Sequence, residues 1–284
     1  MKKISVRILL FICIPTLLTW SCKKDEKKDT DTTSAQDDAF AEVTFSDLNN
    51  ISVQAVQDTA LRTYRTNGHS NFDASSCATL SITPDGSGGG NIVVDFGTTA
   101  CQCLDTRFRH GKVLVHFTGA YRDSGTIITT TLQDYYVGSS ASQLYKVTGT
   151  KTTVNKGHNS AGHLWYTIDV NGIIVNPTGL QMTWISSRQR EWVAGESTMG
   201  WYQWGDDNYL ITGTASGTSF NGTAFTAVIQ TPLDVLLGCR WIRAGKFQFT
   251  STGNPAIQID YGNGGCDAAA TAIVNNISYP FTLR

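Results

Sequence analysis

Along most of this chain apolar and polar residues alternate with a period of two. Val113, Val115 and Phe117 alternate with Lys112 and His116, and Leu180, Met182 and Trp184 with Gln181 and Thr183. Phe247 and Phe249 alternate with Lys246, Gln248 and Thr250. Each run predicts a strand with one buried face. The last segment sets Ile277, Tyr279, Phe281 and Leu283 against Ser278, Pro280 and Thr282. Pro280 cannot donate to a ladder, so this strand is expected at a sheet edge. One stretch has a different period. Between Asp38 and about Arg62, the residues Phe40, Val43, Phe45, Leu48, Ile51, Ala55 and Val56 recur at helical spacing and predict one amphipathic helix.

Turn chemistry separates the strands at short intervals, at Arg122–Gly125, Asn176–Gly179, Phe220–Gly222, Gly253–Pro255 and Asn275–Asn276. No long helical pattern lies between them, so parallel crossovers are not expected. The expected fold is mainly β, an antiparallel meander of roughly a dozen strands with one N-terminal amphipathic helix, closed as a barrel, wrapped as a half-barrel or folded as a sandwich. Tyr145–Thr150 reappears as Tyr209–Thr214, with a Gly inside each strand that is expected to mark a bulge or sharp coiling.

A second repeat joins two distant parts of the chain. Asp95-Phe96-Gly97 followed by Cys101 matches Asp260-Tyr261-Gly262 followed by Cys266. Cys77 and Cys239 each precede a strand that turns back toward the repeated unit, at Pro84–Gly90 and Ser251–Pro255. Folding each hairpin at its turn brings its two cysteines together at the open end, so disulfides Cys77–Cys101 and Cys239–Cys266 are expected. The aromatic would plug the core while Asp95 and Asp260 face the other way. Cys103 is left over as a free thiol, a replacement for Cys101 or a link to another chain.

The N-terminus places the protein. Lys2, Lys3 and Arg7 precede an apolar run, Ile8–Leu18, too short to span a bilayer, so residues 1–21 are expected to be a secretory signal. Leu18-Thr19-Trp20-Ser21-Cys22 resembles the lipobox of bacterial lipoproteins, with Thr19 where Leu is usual, and implies acylation of Cys22. Residues 22–38 carry little to bury and are expected to form a disordered tether, leaving 39–284 as one β domain. The expected location is the outer membrane, lipid-anchored, facing the periplasm or the cell surface.

The chain holds 22 basic and 23 acidic residues. Losing Lys2, Lys3 and Arg7 makes the mature protein acidic by about four charges, which disfavours nucleic acid as a partner. The one basic cluster, Arg107-Phe108-Arg109-His110-Gly111-Lys112, reads as a solvated loop edge.

Catalytic signatures are largely missing. Asp95-Phe96-Gly97 has none of the companions of a kinase magnesium motif, and no nucleophile elbow or phosphate loop occurs. His158 and His163 read as exposed loop residues, and no metal or other cofactor is expected. Glu191 and Glu196, with Asp206 and Asp207, offer carboxylates for a hydrolase, the least favoured function class. The candidate ligand loop is Trp201-Tyr202-Gln203-Trp204-Gly205-Asp206-Asp207, where Trp201, Tyr202 and Trp204 stand beside the carboxylates of Asp206 and Asp207. Such a set suits sugar rings or an apolar ligand edge. The favoured expectation is a non-enzymatic binding or adhesion module for glycan. The alternative is a carrier of lipid or another hydrophobic ligand.

Several of these segments, together with Gly119–Gly125, Arg190-Glu191-Trp192 and Gly238-Cys239-Arg240-Trp241, also resemble those of a family of Bacteroidota-type lipoproteins over most of residues 75–284. That resemblance implies the location and fold given above, and no activity.

Overall fold

A computed structural model describes residues 31–62, 77–198 and 205–284. The chain enters through α1 (Thr33–Arg62) and continues into β1 (Thr79–Pro84), β2 (Gly90–Asp95), a two-residue β3 (Cys101–Gln102) and β4 (Phe108–Phe117). The long central strands are β5 (Ile127–Ser140), β6 (Gln143–His158), β7 (Leu164–Val175), β8 (Gln181–Ala194), β9 (Asn208–Thr218) and β10 (Ala224–Leu236). The sheet ends with β11 (Ala244–Ser251), β12 (Ile257–Asn263), β13 (Ala269–Val274) and β14 (Ile277–Thr282). All belong to one 14-stranded antiparallel sheet in sequence order, with β3 set off the path beside β4. Pro280 lies on β14, at the sheet's last position, as its missing N–H requires.

Alternation decides what faces inward. On β8 Met182, Trp184, Ser186, Arg188, Arg190 and Trp192 are buried, while Gln181, Ile185, Ser187 and Gln189 are exposed. The sheet is open and curls around α1. Phe40 packs on Tyr145 of β6, with ring centroids 4.5 Å apart, and Phe45 stacks on Trp184 of β8 at 5.0 Å. Ser52 meets Thr130 of β5 at 2.8 Å. Of the three closures open to the sequence, the helix-wrapping one is therefore present.

That enclosure corrects the expectation of an amphipathic helix with a solvated side. Ala39, Val43, Leu48 and Ile51 are buried, but so are Asp37, Asp38, Glu42, Asn49 and Gln54. The sheet's inner face supplies partners: Arg188 pairs with Glu42, Trp184 Nε1 donates to Asp38 at 2.7 Å, and Lys151 Nζ donates to Asn49 at 2.7 Å. Burial, with Glu42 nearby, pushes the Asp38 carboxyl up to about 7, and burial, with Arg190 nearby, pushes the Lys151 ammonium down to about 7. The helix also begins earlier than expected. Thr33–Asp38, assigned from sequence to the tether, form its first turns, and Asp37 reaches Arg284 near the C-terminus at 3.1 Å. Among the described residues no helix is long and apolar enough to cross a membrane.

The coiling that such wrapping demands is visible at the repeated strands. Gly149 and Gly213 have φ of +127° and +124°, and a Cβ on either would lie 2.2 Å from a carbonyl oxygen of the adjacent strand. Only glycine allows that combination of backbone twist and close approach.

Both disulfides form, Cys77–Cys101 and Cys239–Cys266, with Cα atoms 5.7 and 5.8 Å apart. Each closes a hairpin of the expected construction, β1–β2 and β11–β12. Phe96 and Tyr261 are buried, and Gly97 and Gly262 each donate a backbone N–H to the motif Asp at 2.9 Å. Cys103 is a buried free thiol, raised in pKa by that burial.

Candidate binding site

Because the sheet wraps the helix, the turn that follows the first staple meets the segment that leads into the second stapled hairpin. Arg240, next to Cys239, donates from Nη1 to Thr106 Oγ1 at 2.7 Å. Arg107 donates from Nη2 back to the Arg240 carbonyl at 3.3 Å, and its guanidinium lies 5.9 Å from the Trp241 ring. The β3–β4 turn thus rests on the segment that leads from Cys239 into β11.

Between these segments and α1 lies a cavity of about 440 Å³, with Asp47 and Asn50 of the helix on its floor. Leu104, Leu237 and Trp241 supply apolar wall, Asp105, Arg107 and Arg240 polar wall, and the Cys239–Cys266 staple one edge. Leu104 is 66% exposed, a large apolar side chain held outward at this site. Beyond Arg107 and Arg240 a second recess of about 290 Å³ is lined by Phe40, Tyr145, Gln143 and Arg284.

The charges at this end are unequally matched. Arg107 pairs with Asp47 at 2.6 Å, and Arg109 contacts Asp47 at 2.8 Å and Asp105 at 2.5 Å. Against burial, which would raise it, the hydrogen bond and charge of Arg109 hold the Asp105 carboxyl below its ordinary value. Arg240 has no carboxylate partner among the described residues. Its described contacts are the Thr106 hydroxyl and the Trp241 ring, 4.4 Å from the guanidinium carbon, and its Nε is enclosed without an acceptor. Burial and the like charge of Arg107 bring its pKa down to about 10.

This arrangement corrects the reading of Arg107–Lys112 as a solvated loop edge. Arg107 is 5% exposed and Arg109 1%, and residues 108–112 lie in β4. The two arginines point into the wrapped interior because carboxylates of α1 and the β3–β4 turn await them there.

Of the residues the sequence suggested as ligand contacts, Trp201, Tyr202 and Trp204 lie outside the described residues. Gly205, the next residue, packs on the cavity wall: a Cβ on Gly238 would sit 3.1 Å from its Cα. Asp206 is exposed and accepts from Thr198 Oγ1 at 3.2 Å. Asp207 is 1% exposed and turned inward, and burial, with Asp206 beside it, pushes its carboxyl up to about 7. The two carboxylates therefore do not form one surface pair.

The remaining candidates are held in separate pairs. His158 meets Glu196 at 2.7 Å and His163 meets Glu191 at 2.8 Å, where Asn159 also donates at 2.8 Å. Among the described residues no cluster of three or more His, Cys, Asp or Glu is arranged to hold a metal ion.

The cavity itself is not an expectation of the sequence reading, although a signal for it exists. Arg109-His110-Gly111-Lys112 reappears as Arg243-Ala244-Gly245-Lys246. Each Lys sits across the sheet from a motif Asp, Lys112 from Asp95 at 3.0 Å and Lys246 from Asp260 at 2.8 Å. The two segments stand on opposite sides of their motifs, Arg109–Lys112 after Cys101 and Arg243–Lys246 before Asp260, and the first carries Arg109 onto the cavity. Compared with protein-family models, curated proteins and solved structures, the chain matches none.

Proposed function

We propose that this protein is an exported lipoprotein, acylated at Cys22, that works as a non-enzymatic binding module, with the cavity between α1, the β3–β4 turn and the Cys239–β11 segment as the ligand seat. One observation carries the reading. Where the β3–β4 turn meets the Cys239–β11 segment, the molecule keeps about 440 Å³ of space lined by Trp241, Leu104 and polar groups together, the mixture and size typical of sites for a small ligand or a sugar ring. The Cys239–Cys266 cross-link at its edge keeps that space preformed, so little ordering cost opposes binding.

The carrier alternative needs an apolar chamber inside the sheet. α1 occupies that position, and the recess between it and β7–β9 amounts to about 20 Å³. The binding reading is therefore the better supported, with glycan as the ligand class.

The test is a broad glycan array probed with wild type, Trp241→Ala and Leu104→Asp. Leu104 is too exposed for its replacement to disturb folding, so it separates loss of the seat from loss of the fold. Binding by wild type that both variants lose supports the seat. Binding that survives both but is lost in Trp201→Ala moves the site to residues 201–204, and a silent array removes the reading. Labelled palmitate incorporated by wild type but not by Cys22→Ala checks the anchor.

A further inference from the structure

Resting on that seat, we propose that its ligand is an acidic saccharide, one whose carboxylate or sulfate is held by Arg240. Charge and hydrogen-bonding capacity do not balance at this end of the molecule. Three guanidiniums, Arg107, Arg109 and Arg240, converge where α1, the β3–β4 turn and the Cys239–β11 segment meet, and two carboxylates, Asp47 and Asp105, answer them. Both carboxylates are engaged by Arg107 and Arg109. Arg240 is left with a hydroxyl and an aromatic face.

A structural arginine in a partly enclosed place is ordinarily matched, because an unpaired charge out of water is costly. Arg188 has Glu42 and Arg243 has Asp234, and the two other arginines without a described carboxylate have carbonyl acceptors instead: Arg190 gives both Nη groups to Asn50 Oδ1, and Arg122 reaches the Glu196 and Thr198 backbone carbonyls. Arg240 breaks that pattern where the wall opens into a cavity large enough for a sugar. Its group is also positioned, since stacking on Trp241 and the hydrogen bond to Thr106 fix the guanidinium. A planar or tetrahedral oxyanion in the cavity supplies the missing charge and can accept from Nη2, which no described group engages. Trp241 and Leu104 would cover the ring that carries it. The net negative charge of the chain does not oppose this, because the decisive field is local and the excess over the cavity is positive.

The experiment is calorimetric titration of the full mature chain in detergent with glucuronate and a sulfated disaccharide, beside their neutral counterparts. Wild type should bind the acidic sugars at least about tenfold more tightly than the neutral ones, and Arg240→Gln should remove that margin. Arg240→Lys should restore part of it, and added salt should weaken acidic binding alone. Arg240→Gln leaves no carboxylate orphaned, so its unfolding midpoint should match wild type, a readout that separates lost binding from lost fold. If neutral and acidic sugars bind equally, and both are lost in Trp241→Ala, the charge proposal falls while the seat stands. If no sugar of either kind binds, the seat falls with it. If phosphatidylglycerol vesicles are captured through Arg240 and the acidic sugars are not, the oxyanion belongs to lipid and the saccharide assignment is overturned.

Discussion

The two stapled hairpins share a plan and differ in the charges placed next to it. In each, a motif Asp accepts its Gly amide and pairs with a Lys across the ladder, an aromatic enters the core, and a disulfide closes the end. The first then runs into Arg107 and Arg109, both neutralised by Asp47 and Asp105. The second begins at Cys239 with Arg240, which no described carboxylate neutralises. The shared parts are geometric, and each closes its own hairpin, one at the start of the open sheet and one near its other end. The unshared part is electrostatic, and it lies on the cavity. Construction and recognition are thus separable here, and substitutions can address one without the other.

Removing the staples should have the largest effect and should split the pair. Cys77–Cys101 and Cys239–Cys266 have sequence separations of 24 and 27 residues. In the chain-entropy model each contributes about 3 kcal/mol, so C77A/C101A and C239A/C266A should lose similar stability in urea titrations. Only the second edges the cavity, so at temperatures where both variants remain folded only C239A/C266A should lose ligand affinity. Equal loss of affinity in both would mean that the two hairpins act as one support.

Asp47 offers the next test, because it is the neutraliser that makes the first hairpin unlike the second. Asp47→Asn removes one of the two carboxylates that hold the buried Arg109 and the direct partner of Arg107. Asp105 remains, so the expected cost is about 2 kcal/mol rather than that of a wholly orphaned ion. The same change frees Arg107 beside Arg240, so an acidic ligand should bind more tightly to the less stable protein. Stability and affinity falling together would show that Asp47 shapes the cavity more than it sets its charge.

Legibility in the sequence depends on how far apart partners lie along the chain. Strands, hairpin turns, both disulfides and the edge position of Pro280 come from local signals: a period of two, a turn, a cysteine at either end. The enclosure of α1 does not, because Glu42 and Asp38 meet partners on β8, 146 residues away. Polar residues that look ready for solvent are the same residues that an inward-facing Arg or Lys can satisfy. Arg107–Lys112 looks like a solvated edge for a related reason. Alternation tells which side chains share a face of a strand, but whether that face meets water or a helix carrying carboxylates is decided by the wrapping. Arg240 is visible in the sequence as part of a resemblance, yet its lack of a carboxylate partner exists only in three dimensions.

The smallest expected effect concerns the feature the hairpins have most in common. Asp95 and Asp260 occupy matched positions, and the Lys pairs beside them remain partly exposed, with Lys112 and Lys246 side chains 42% and 40% accessible. Each pair should contribute under about 1 kcal/mol, so D95N and D260N should differ little from wild type and from each other at neutral pH. The Gly97 amide, with a smaller contribution from Lys112, holds the Asp95 carboxyl below its ordinary value. A depressed carboxyl favours the folded state wherever it is ionised, so its contribution is complete above the unfolded pKa of about 4 and fades as pH falls through the folded one. The stability difference between wild type and D95N should therefore be flat from neutral pH down to that point and shrink below it, as urea midpoints across the acid range would record. A difference that grew toward low pH would have the wrong sign for an ionised Asp95, whereas a difference near zero at every pH would assign the hairpin's hold to the Gly97 hydrogen bond, which an asparagine can keep.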